Sequence, residues 1–144
     1  MAMTGLDAFD TTTQKTERWL NLIMERLGWT SRQRAYHAFR AVLHALRDRL
    51  TIEESAHFSA QLPLLVRGIY FDGWEPSKTP EKIRDKGVFL EHVRERMGLG
   101  AGEPENIERI VKEVFAVIQN EVTEGEISEV RSMFPEKLRG LWEG

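Results

Sequence analysis

Residues 34–50, RAYHAFRAVLHALRDRL, decide the fold once they are set beside residues 106–122, NIERIVKEVFAVIQNEV. In the first stretch Ala35, Ala38, Phe39, Val42, Leu43, Leu46 and Leu50 follow a three-then-four rhythm, which makes one apolar stripe along a helix. In the second, Ile107, Ile110, Val111, Val114, Phe115, Ile118 and Val122 reproduce that stripe 72 positions later, residue for residue. The same offset pairs Thr51 with Thr123, Glu54 with Glu126, Pro63 with Pro135, Arg67 with Arg139, Gly68 with Gly140 and Tyr70 with Trp142. A repeat of this length means that one helical unit occurs twice.

Working outward, a helix over about Gln14–Leu27 carries Trp19, Leu20, Ile23 and Leu27 and stops at Gly28, a residue suited to the left-handed closing position. It returns as FLEHVRERMG against WLNLIMERLG at an offset of 70, and the two extra residues fall in the glycine-rich turn Gly98–Gly102. Ser31 is placed to cap the helix that follows. Thr51-Ile-Glu-Glu54 and Thr123-Glu-Gly-Glu126 both match the capping box, and Pro63 and Pro135 suit the start of a very short helix. The expectation is an all-α bundle of about eight helices, built from two tandem four-helix repeats related by pseudo-twofold symmetry. The repeats are placed at 14–71 and 84–142, with a linker at 72–83, inside one domain spanning 1–144 with one continuous core.

No cysteine is present, which excludes disulfides, thiolate nucleophiles and thiolate metal sites and fits a reducing compartment. Met1–Asp10 lacks the pattern of a secretory leader, and no apolar run approaches the ~20 residues of a membrane span, so a cytoplasmic protein with no membrane partner is expected. The net charge of −3 disfavours nucleic acid as a partner. Charge is nonetheless lopsided. Arg32, Arg34, Arg40, Arg47 and Arg49 oppose only Asp48, whereas ten glutamates lie between Glu103 and Glu143, which suggests self-association or an oppositely charged protein partner.

At AFRAVLHALRDRL, EESAHFSAQLPLLVRGIYFDGW, GLDAFDTTTQKTERWL and VTEGEISEVRSMFPEKLRGLW the chain resembles a family of uncharacterised bacterial proteins, domain of unknown function 2267 (DUF2267), over nearly its whole length. The resemblance implies a helical fold with an internal repeat. It brings no activity and no catalytic residues.

Glu54 and His57 stand one helical turn apart, as in di-iron carboxylate bundles, with Glu126 and Glu129 as the counterpart in the second copy. These four would form a carboxylate-rich metal site if the two short helices meet. Against that, both glutamates that open these helices are already employed by the capping boxes. His37, Arg40, His44 and Arg47 form a ladder on one helix side, read either as a solvated face or as a binding surface. Tyr70, Phe71 and Trp74 make an aromatic cluster at the linker, either an interface anchor or a wedge against the core. Arg67-Gly68 and Arg139-Gly140 read as joints, arginine pairing with a helix end and glycine closing a helix or allowing close packing. Gly98-Leu-Gly-Ala-Gly102 lacks the Lys-Ser/Thr of a phosphate loop, and neither G-x-S-x-G nor H-E-x-x-H occurs. No catalytic residue and no cofactor is assigned. The preferred function is a non-enzymatic binding or self-association module. The alternative is a small-molecule or metal-binding protein, an enzyme among its forms, that uses the groove between the repeats.

Overall fold

The computed structural model describes residues 4–98 and 106–143. They form eight α-helices and no strand: α1 (Asp7–Leu27), α2 (Arg32–Arg49), α3 (Ile52–Ser59), α4 (Leu64–Phe71), α5 (Lys86–Arg96), α6 (Ile107–Glu121), α7 (Glu124–Ser132) and α8 (Glu136–Arg139). Short 3-10 turns follow α4 at 76–78 and α8 at 140–142. Beyond Gly98, the glycine-rich turn that was expected to absorb the two extra residues lies outside the described residues.

Helix α1 begins seven residues before the expected start. The acidic side chains of Asp7 and Asp10 lie in its first turn, where they oppose the positive end of the helix dipole. Asp10 is buried and accepts from the Thr4 amide and hydroxyl, which fixes the entering chain. At the other end Gly28 has φ +70°, and the Trp29 amide reaches back to the Met24 carbonyl. Ser31, Thr51, Asp85, Asn106 and Thr123 each accept an amide in the first turn of the helix they precede. Pro63 and Pro135 sit at the N-cap, one place before the first helical residue.

The glycines of the two Arg-Gly joints do not close helices. Gly68 lies inside α4 and Gly140 at the end of α8, neither has positive φ, and a Cβ at either would meet nothing within 4 Å. Neither helix closure nor close packing therefore explains them. Gly68→Ala is expected to raise the unfolding free energy by up to about 1 kcal/mol through helix propensity, and Gly28→Ala to lower it by about 1 kcal/mol at its left-handed position. Paired urea denaturation curves check both signs.

Helices α1 and α5 each pack against both α2 and α6, and α2 and α6 touch one another. All the buried apolar side chains join in one cluster that draws on both halves of the chain. Helix α2 is the hub, and every residue from 41 to 48 is buried. In the second half Phe115 stacks on Trp142 at 3.9 Å and 11°, with Phe89 and Phe134 edge-on around Phe115. The segment 72–83 is fastened rather than slack. The Glu81 amide donates to the Asp48 carbonyl, Arg49 donates to the Glu81 carbonyl, and Ile83 is buried.

Candidate functional site

The two short helices α3 and α7 meet, and a cleft of about 630 Å³ opens between them. Glu54, His57, Glu126 and Glu129 all line it, together with Glu53 and Met133. The four residues singled out by spacing are thus brought to one place. Glu53 was missed, although its position beside Glu54 in the first helical turn was a usable signal.

The two capping boxes turn out to differ. At α3 the box is reciprocal: the Thr51 hydroxyl accepts from the Glu54 amide, and the Glu54 carboxylate accepts from the Thr51 amide at 2.8 Å. At α7 the Thr123 hydroxyl accepts from the Glu126 amide, but the Glu126 carboxyl is hydrogen-bonded with Glu129. Burial, the charge of Glu129 and that hydrogen bond raise the Glu126 pKa above the usual carboxylate range, with His57 pulling the other way. The expectation that Glu126 is occupied as a cap is therefore corrected. Its carboxyl lies beside that of Glu129 in the cleft. Among the described residues, no group of three or more His, Asp or Glu side chains converges closely enough to hold a metal ion. With four glutamates in its lining, the cleft can present negative charge to a cation.

The ladder on α2 is not a surface. Only His37 is exposed, and its ring lies against Tyr36. His44 is buried and its Nε2–H donates to the Ile69 carbonyl at 2.7 Å. Arg47 is buried and donates to the carbonyls of Tyr70 and Asp72 and to the Asp48 carboxylate. Arg40 pairs with the Asp72 carboxylate at 2.9 Å. Both earlier readings, solvated face and binding surface, fail for His44 and Arg47, because the central helix has neighbours on every side there. His44 and Arg47 instead cap α4, their N–H groups satisfying the carbonyls of Ile69, Tyr70 and Asp72 at its C-terminal end. Burial lowers the His44 pKa to about 4, helped by the charges of Arg47 and Arg40 and opposed by the Ile69 carbonyl.

The aromatic cluster is a wedge. Tyr70 is fully buried, packs on Phe58, and its hydroxyl pairs with Ser55 Oγ at 2.9 Å, while burial pushes its phenol pKa up. Phe71 packs edge-on against Tyr70, and Trp74 lies on Phe71. The two joint arginines do pair with helix ends: Arg67 donates to the carbonyls of Ser59 and Leu62, and Arg139 to those of Phe134 and Ser132.

Several side chains of the basic run and of the acidic stretch find partners inside the chain. Arg32 bonds Asn21, Arg34 lies over the Trp29 ring at 3.9 Å, and Arg49 donates to the Glu81 and Met133 carbonyls. Arg18 and Arg26 of α1 pair with Glu121 and Glu113 of α6.

Among the described residues no helix is long and apolar enough to cross a membrane. No curated protein matches the chain. A family profile described as uncharacterized conserved protein, DUF2267, matches residues 16–141, and with the helical fold above it establishes that the chain belongs to the DUF2267 family.

Proposed function

We propose that this protein is a non-enzymatic binding module whose ligand site is the acidic cleft between α3 and α7, and that the ligand presents positive charge. The observation that carries the reading is the Glu126 carboxyl, turned away from its capping role toward Glu129 and His57 in the cleft. A cleft of about 630 Å³ suits an organic diamine better than a bare metal ion, which would ask for a tighter set of oxygen ligands. The duplicated scaffold supports this too, since we read 14–71 and 84–142 as two copies of one unit and the cleft as the place where their third helices face each other.

The test is calorimetric titration with putrescine. Glu129→Gln is expected to weaken binding about tenfold, by removing a charged hydrogen-bond acceptor. Because the Glu126 pKa is raised, a bound cation competes with a proton at that carboxyl. Affinity is therefore expected to rise with pH through that pKa and to flatten in Glu126→Gln. No saturable heat at any pH would end the reading. Stoichiometric iron, manganese or zinc in untagged protein, lost in Glu129→Gln, would replace the diamine with a metal.

Self-association is a second reading, favoured by Leu6, Phe9, Leu64 and Leu65, which are exposed where the starts of α1 and α4 meet. A strict monomer by light scattering would remove it.

A further inference from the structure

The cap that α2 builds over α4 has a counterpart 72 positions later, and there the structure differs in a specific way. His44, Arg47, Asp48 and Tyr70 correspond to Ala116, Gln119, Asn120 and Trp142. One bond is kept: Gln119 Nε2 donates to the Trp142 carbonyl at 2.7 Å, as Arg47 donates to the Tyr70 carbonyl at 3.1 Å. The remaining volume is not refilled. A methyl stands where the imidazole was, an amide stands where the guanidinium was, and a cavity of about 530 Å³ opens there.

The neighbouring helix repeats the contrast. At the cap of the first copy, α5 of the second copy sends Arg96 to the Asp48 carboxylate, so two guanidinium groups, those of Arg47 and Arg96, flank Asp48. At the offset of 70, Arg96 corresponds to Arg26 of α1, which pairs with Glu113 at 2.9 Å instead. One guanidinium is thus shortened to an amide, and the other, that of Arg26, still lines the cavity but has its charge answered by Glu113. The acceptors remain, namely the Trp142 carbonyl, which keeps a second lone pair beside the Gln119 bond, and the Asn120 amide oxygen. Glu25, on the same wall of the cavity, adds a carboxylate that makes no ion pair among the described residues.

We propose that the cavity between α1, α6 and the turn at Trp142 binds a small molecule carrying a guanidinium or amidinium group, which takes the place that Arg47 and Arg96 fill in the first copy. The planar fork of such a group donates to a carbonyl, an amide oxygen and a carboxylate together, a pattern an ammonium point charge matches less well. This site is separate from the α3–α7 cleft and stands or falls independently of it.

The experiment is a titration of the full chain with methylguanidinium, with methylurea as the uncharged isostere, followed by NMR at the Trp142 indole and the Gln119 and Asn120 side-chain amides. Saturable shifts are expected with methylguanidinium and not with methylurea. Shifts that are absent, that grow without saturating, or that are equal for both probes overturn the proposal. The double variant A116H/Q119R rebuilds the first copy's imidazole and guanidinium in place, and is expected to weaken binding at least about tenfold. Should that variant fail to fold, the exposed substitution Glu25→Gln decides, with a loss of about tenfold expected from the missing carboxylate. Unchanged affinity in the folded variant overturns the proposal. Glu129→Gln is expected to leave this binding unaltered, which separates the two sites.

Discussion

Replacing Arg47 by methionine is expected to lower the unfolding free energy by about 3–5 kcal/mol, the range for removing one partner of a buried charge pair. The side chain is 6% exposed and Asp48 9%, so Asp48 is left in the interior with Arg96 as its remaining cation. The carbonyls of Tyr70 and Asp72 lose their donor at the same time, at the end of a helix where α4 has no further backbone amide to offer. Methionine keeps most of the apolar stem, so the loss reports the guanidinium rather than a large void. Arg40→Met, two turns earlier on the same side of α2, supplies the contrast. Its pairing with Asp72 is largely exposed, and about 1 kcal/mol or less is expected. Urea denaturation of the two variants side by side measures the difference. Equal, small losses would mean that the carbonyl cap on α4 carries no weight.

Acid sensitivity is the second large effect. His44 has a pKa of about 4 in the folded chain against 6.5 as its model value, so the unfolded chain binds the extra proton more readily. Stability from this group is therefore complete above about pH 6.5 and is lost as pH falls toward 4, levelling off once the folded form is itself protonated. At 1.36 kcal/mol per pKa unit the loss reaches about 3 kcal/mol by pH 4. His44→Gln keeps an N–H for the Ile69 carbonyl and removes the titration. The difference between wild type and variant, followed by chemical denaturation between pH 7 and 4, is expected to narrow by that amount as pH falls. Parallel curves would show that the imidazole is not excluded from charging.

The contrast between Phe39 and Arg47 explains what was legible in the sequence. Apolar side chains on α2 and α6 must find one another, so their spacing reveals the helices. Polar side chains carry no such instruction. A run such as His37, Arg40, His44 and Arg47 reads as solvated because most helices have a solvated side, and α2 has almost none along 41–48. Ala41 and Ala45, lying among those polar residues and fully or almost fully buried, were the available signal that other helices approach closely on that side as well. The start of α1 was missed for a different reason. DTTTQK offers little helix propensity, and the helix there rests on the interactions of Asp7 and Asp10. The candidate cleft was half legible. Spacing located Glu54, His57, Glu126 and Glu129, but the unequal use of the two glutamates depends on what each faces across α3 and α7, which no local pattern records.

The shared placement of α1 and α5 bears on how the chain folds. Each lies across both central helices, so a chain containing only the first four helices would leave much of the apolar surface of α1 and α2 uncovered. It could bury that surface only against another partner, so the two halves of the chain are expected to fold together rather than one at a time.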